Sequence, residues 1–103
     1  MERIDKLKEL LQENAGDNFL QHALALEYVK AGDDAAARKL FEEILERDPS
    51  YIGSYYHLAK LFERMDDRES AIKLYVKGME EAKKAGEMKA YGELKSAYEE
   101  FVF

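Results

Sequence analysis

Apolar residues recur along this chain at spacings of three and four, with charged residues between them. That spacing gathers them on one face of a helix with 3.6 residues per turn, whereas a half-buried strand would alternate strictly. Leu7, Leu10 and Leu11 line a first such face, and Phe19, Leu20, Leu24 and Tyr28 a second. Leu40, Phe41, Ile44 and Leu45 follow, then Tyr55, Leu58, Leu61 and Phe62. Ile72, Leu74, Tyr75 and Met79 make a fifth face, and Tyr91, Leu94, Tyr98 and Phe101 a sixth. The pattern predicts an all-α protein of six helices with no sheet.

The punctuation between these faces agrees. Breaks fall at Asn14–Asn18, Ala31–Asp34, Asp48–Ser50, Met65–Arg68 and Lys84–Glu87. Asp34, and Asp66 or Asp67, are placed to accept backbone N–H bonds at helix starts; Asp66 with Glu69 has the spacing of a capping box. Gly32 and Gly86 suit the left-handed position just past a helix C-terminus. Pro49, the single proline, disfavours α geometry at Asp48 and so stops the third helix there. Its fixed φ also suits it to begin the fourth.

A shift of 34 residues lays the chain on itself: Leu24 falls on Leu58, Ala25 on Ala59, Tyr28 on Phe62, Ala37 on Ala71, Leu40 on Leu74 and Phe41 on Tyr75. Leu7, Leu10 and Leu11 likewise precede Phe41, Ile44 and Leu45. Large, small and aromatic positions keep their class. Two helices per period of this length are the mark of a helical-repeat solenoid.

On these residues the chain resembles the tetratricopeptide-repeat family. The family's A helix carries a large residue, Leu, a small residue and an aromatic; its B helix carries Ala, an aromatic, Ala and a closing Pro. One unit supplies Leu24, Ala25, Tyr28, Gly32, Ala37, Phe41 and Pro49, the next Tyr55, Leu58, Ala59, Phe62, Ala71, Tyr75 and Gly78. Gln21, Ile44, Asp66 and Lys83 depart from the pattern without breaking the period. The last helix matches an A helix at a spacing of 36, with Tyr55 on Tyr91, Leu58 on Leu94 and Phe62 on Tyr98. A longer fifth helix, or a looser turn after it, is therefore expected. The resemblance implies a right-handed α-solenoid of about six antiparallel helices in one domain, divided into a half-repeat at 1–16, full units at 17–51 and 52–86, and a capping helix at 87–103. Small residues at Ala25, Ala37, Ala59 and Ala71 would let paired helices approach to about 8–10 Å.

In this family the A helices line a concave face that binds peptides. Position matching puts Phe19, His22, Leu26, Val29 and Lys30 there in the first unit, and Gly53, Tyr56, His57, Lys60 and Arg64 in the second. Phe19, His22, Leu26, Lys30, Tyr56, His57, Lys60 and Arg64 are the candidate groove residues. Phe19, Leu26 and Val29 have a plainer alternative role, packing against neighbouring helices. Relatives that hold acidic chaperone tails use a clamp of Lys, Asn and Arg. The matching positions here are His22, Leu26, His57, Lys89 and Glu93, and only Lys89 agrees. That ligand is disfavoured.

Composition narrows the chemistry further. With 103 residues, 47% of them hydrophobic, the chain is long enough for one folded domain. The absence of cysteine excludes disulfides, thiolate metal sites and a thiol nucleophile. His22 and His57 lack a third positioned ligand, so no metal and no cofactor is expected. Ser50, Ser54, Ser70 and Ser96 show no triad spacing, and no glycine-rich phosphate loop occurs, so no enzyme is expected. A net charge of −6 repels phosphate backbones and makes nucleic acid an unexpected partner. The opening MERIDKLKELLQEN carries charge every few residues and offers neither a signal peptide's apolar stretch nor a membrane span; a cytoplasmic setting is expected. The expected function is a scaffold that binds a protein or peptide segment in the A-helix groove, as a monomer or weak homodimer. The alternative is an assembly module that self-associates through its end helices, since YEEFVF leaves Phe101, Val102 and Phe103 either as a lid over the fifth helix or as a docking end.

Overall fold

The computed structural model describes residues 2–103 as six α-helices, with no strand among the described residues. They are α1 (Glu2–Glu13), α2 (Asn18–Lys30), α3 (Asp34–Arg47), α4 (Gly53–Arg64), α5 (Arg68–Ala85) and α6 (Met88–Val102). Packing gathers them into two compact units, the first ending at Arg47 and the second spanning Asp48–Phe103. In the first, α2 packs on both α1 and α3; in the second, α5 packs on both α4 and α6.

Three of the helix ends share one solution. Gly32, Asp66 and Gly86 have φ of 81°, 61° and 73°. The next residue's N–H then reaches back to a carbonyl in the last turn: Asp33 to Tyr28, Asp67 to Phe62 and Glu87 to Ala82, each at 2.9 Å. This is the Schellman arrangement, for which the left-handed residue is ordinarily glycine. Asp66 does the same task under some strain, as a short polar side chain can.

The starts correct two expectations. Asp33, not Asp34, accepts from the Ala36 N–H at 3.1 Å, and Asp67, not Asp66, accepts from Ser70 N–H at 3.1 Å. No Asp66–Glu69 capping box forms, because Asp66 is committed to ending α4. Asp17 caps α2 by accepting from Leu20 N–H at 3.0 Å.

Pro49 follows the end of α3 but does not begin α4, which starts at Gly53. The Asp48 carboxylate accepts from Ser50 N–H at 3.1 Å and Ser50 Oγ at 2.6 Å, folding the segment into an Asx turn instead. The Tyr55 hydroxyl donates to the Pro49 carbonyl at 2.5 Å and pins that turn to α4. Burial, with Glu81 and Asp48 nearby, pushes the Tyr55 hydroxyl up to about 12, so it keeps the proton it donates.

In the first unit Ile4, Leu7 and Leu24 are buried, with Leu11, Leu20, Ala23, Tyr28 and Leu40 packed on them. Leu10, expected on this face, is exposed: the stripe of α1 runs through Ile4, Leu7 and Leu11, and Leu10 lies off it. Gln21, which takes the family's large apolar place in α2, is buried because it has polar partners. Its amide donates to the Ala15 carbonyl at 3.4 Å and accepts from Arg47, whose guanidinium also holds Asn18 Oδ1 at 2.6 Å.

Ala25, Ala37, Ala59 and Ala71 are fully buried, as close helix approach requires. Along α5 the buried face is Ala71, Tyr75, Gly78 and Ala82, while Ile72, Leu74 and Met79 stay half-buried on its flanks. α5 has 18 residues against 14 in α3, the lengthening expected from the wider spacing before the last helix. Tyr75 joins all three helices of the second unit, donating to Glu63 of α4 and meeting the rings of Tyr98 and Phe101 of α6 at 6.4 Å each. Phe101 thus does lie over α5, and Arg68 covers it at 5.1 Å; Phe103 does not pack and is 98% exposed.

Glu81 is a charged residue on α5 held by its neighbours. Lys84 and Lys77, each at 3.3 Å, keep its carboxyl below the ordinary value of 4.5. A group whose folded value is depressed stabilises the fold above its unfolded value and loses that contribution as pH falls through the folded one. Stability should therefore fall on acidification below about 4.5, and Glu81→Gln should flatten that fall in urea titrations between pH 6 and 3.

Candidate functional site

α4 and α6, both seated on α5, flank an open groove of about 830 Å3. From α4 it is lined by Gly53, Tyr56 and His57, spaced three and four apart on one face; α6 supplies Met88, Lys89, Gly92, Glu93, Ser96, Ala97 and Glu100. The spacing of 36 relates the two walls: Gly53 corresponds to Lys89, Tyr56 to Gly92, His57 to Glu93 and Arg64 to Glu100. Where α4 presents an aromatic ring, α6 presents no side chain, and an added Cβ at Gly92 would meet nothing within 4 Å. The open volume follows from that pairing of large with small.

Tyr56 is 36% exposed and Met88 56%, so the groove carries apolar surface open to a ligand. The His57 ring stands edge-on to Tyr56, 5.3 Å between centroids at 85°. Lys60 Nζ lies 5.6 Å from the Tyr56 centroid and 3.6 Å from Glu63 Oε2. Burial lowers the His57 pKa from the ordinary 6.5, because a low-dielectric setting disfavours the imidazolium. An NMR titration of its ring protons should give a midpoint below 6.5; a midpoint at or above that value would contradict the burial.

The structure brings together only part of the expected set. Tyr56 and His57 line the groove, whereas Lys60 and Arg64 lie one and two turns further along α4 and do not. Phe19, His22, Leu26 and Lys30 belong to α2 of the first unit. There Phe19 is 71% exposed, which overturns the packing alternative for that residue, while Leu26 and Val29 are half-buried. His22 meets Phe41 edge-on at 5.5 Å, and Lys30 lies 3.6 Å from Glu27, which also holds Arg3 at 3.0 Å.

Sequence reasoning missed the α6 wall, apart from Lys89 and Glu93 as positions matched to the chaperone-tail clamp. The signal was present: carrying the groove positions of α4 forward by 36 gives Lys89, Gly92, Glu93, Ser96 and Glu100, all of which line the groove. The described residues hold no group of three or more His, Cys, Asp or Glu able to bind a metal ion. No helix among them is long and apolar enough to cross a membrane.

Sequence profiles described as tetratricopeptide repeat match residues 18–61 and 52–85. The tetratricopeptide repeat domain protein from Salinibacter ruber is 43% identical in its solution structure, which superposes with a TM-score of 0.80 over 84% of this chain and 87% of that one. This chain belongs to the tetratricopeptide-repeat family. A crystal structure of a tetratricopeptide repeat domain protein from Salinibacter ruber gives 44% identity and a TM-score of 0.79, covering 82% of this chain and 94% of that one. The crystal structure of MamA shares the fold at 24% identity and a TM-score of 0.77, covering 82% of this chain and 49% of MamA. An uncharacterized protein of Pyropia yezoensis, ycf37, is 33% identical over 58 residues; that match takes in 56% of this chain and a third of that protein's length (33%). Tetratricopeptide repeats are in general protein-interaction modules and typically non-catalytic scaffolds.

Proposed function

We propose that this tetratricopeptide-repeat chain binds a peptide or protein segment in the groove flanked by α4 and α6. One observation carries the reading: two successive A helices present matched positions to a single open groove, with Tyr56 and Met88 exposed in it. A volume near 830 Å3 lies within the range of about 300–1,000 Å3 that ligand sites occupy. An exposed aromatic beside backbone laid bare at Gly92 offers an apolar anchor and close approach, the two features that peptide recognition uses. Phe19, His22, Leu26 and Lys30 on α2, and Lys60 and Arg64 on α4, are assigned to further contact with the same partner, in a cytoplasmic setting.

The test is a titration of peptides into 15N-labelled protein. Amide shifts should cluster on Tyr56, His57, Gly92, Glu93 and Ser96, and Tyr56→Ala should weaken binding about tenfold, as truncating an aromatic anchor does. Shifts confined to α3 and α5 would overturn the reading.

A second reading is self-association through the end helices, favoured by the 98% exposure of Phe103. Light scattering at high concentration separates the two. A dimer that Phe103→Ser dissolves supports this reading, and a monomer removes it; Phe103 is the residue to change because Phe101 also packs on α5.

A further inference from the structure

We propose that the segment held in this groove is basic: two Lys or Arg side chains about 9–10 Å apart, on either side of an apolar residue that meets Tyr56 and Met88. The inference rests on the groove reading above and names its ligand chemistry.

The α6 wall carries Glu93 and Glu100 against one cation, Lys89. A smaller adjoining pocket of about 210 Å3 shares Gly53, Tyr56 and Glu93 and adds Glu87, a third carboxylate. Among the described residues neither Glu93 nor Glu100 has a cation within salt-bridge distance, although Lys89 precedes Glu93 by one helical turn. Both are therefore open to a cation from outside, unlike Glu27, Glu42, Glu63, Glu69 and Glu81, whose cations lie at 3.0–3.6 Å.

α4 adds no positive charge to the lining. His57 is biased toward its neutral form by burial, and Lys60 is occupied by Glu63. The whole chain adds a field of the same sign, with a net charge of −6. A basic segment is drawn in; an acidic one would meet two uncompensated carboxylates.

Spacing sets the segment's form. Glu93 and Glu100 are seven residues apart on α6, a rise of about 10.5 Å. In an extended polyproline-II segment, residues three apart lie on one side about 9 Å apart, within the reach of a lysine stem. The intervening residue can then lie toward Tyr56 over the gap at Gly92, where the helix backbone has no side chain in front of it.

The probes are two capped nonapeptides titrated into 15N-labelled full chain at 50 mM salt. One has lysines three positions apart around a leucine; the other has glutamates in their place. The lysine peptide should bind at least tenfold more tightly and shift Glu93, Gly92 and Glu100 amides. Glu93→Gln and Glu100→Gln should each weaken it about two- to fivefold, the ordinary size of an exposed ion pair, and 300 mM salt should do the same. Lys89→Gln should tighten it. Glu93 and Glu100 are exposed, so these variants keep the fold. Equal or tighter binding of the glutamate peptide at the same amides would overturn the charge assignment and leave the groove reading standing. Shifts from both peptides confined to α5 would overturn both.

Discussion

Truncating Tyr75 to alanine is expected to destabilise the fold by about 3–5 kcal/mol, the cost of deleting a large buried aromatic. Tyr75 is fully buried on α5 and reaches both α4, through Glu63, and α6, through Tyr98 and Phe101. Its loss removes the rings' mutual contact and leaves a cavity whose walls are helices, which cannot collapse as a loop would. The loss would take up much of the 5–15 kcal/mol that holds a domain folded. Urea denaturation followed by circular dichroism measures it, as a lowered midpoint. Tyr75→Phe separates packing from polarity: it keeps the ring and removes the hydroxyl that donates to Glu63. Burial and that bond push the Tyr75 hydroxyl far above its usual value, so it is a proton donor at every working pH. Glu63 keeps Lys60 as a partner, so the loss should be about 1 kcal/mol. Equal effects from the two variants would show that the hydrogen bond, not the ring, holds the unit together.

Gly78→Ala and Gly92→Ala should move stability in opposite directions, although both replace a glycine inside a helix. Alanine is favoured over glycine there by about 1 kcal/mol. At Gly78 the added Cβ would lie 2.8 Å from Tyr55 Cβ and 3.1 Å from Leu94 Cδ1. Tyr55 Cβ is tied to the α4 backbone, so α4 and α5 must separate, and overpacking of this kind costs about 1–3 kcal/mol. The net result should be a loss of up to about 2 kcal/mol by the same measurement. At Gly92 the new methyl meets nothing within 4 Å, and stability should rise by about 0.5–1 kcal/mol. The glycine at Gly92 meets no neighbour that an added methyl would touch, and it lies in the lining of the groove. A gain in stability at Gly78 would mean that α4 and α5 are not in close contact there.

The amphipathic spacing, the five breaks and the period of 34 were enough to specify six helices and their pairing, because these depend on residues near one another in sequence. The same local information placed Gly32 and Gly86 at helix ends and made Pro49 a stop. It could not choose between adjacent aspartates. Asp66 and Asp67 are equally good caps by type, and the choice fell to Asp67 once Asp66 was needed to turn the chain out of α4.

Periodicity locates a face relative to its own helix axis but does not say where the neighbouring helix lies. Leu10 and Phe19 have the spacing of core residues and are exposed, since α1 and α2 turn their other sides inward. Gln21 reads as a fault in the repeat and is buried with Ala15 and Arg47 as partners. Sequence alone therefore determined the helices, their order and their kinship. Tertiary packing decided what shares a surface: Gly78 pressed on Tyr55, and Glu93 and Glu100 lined up across from Tyr56 and His57. The physical reason is that these residues lie tens of positions apart, and only the seating of α4 and α6 on α5 brings them together.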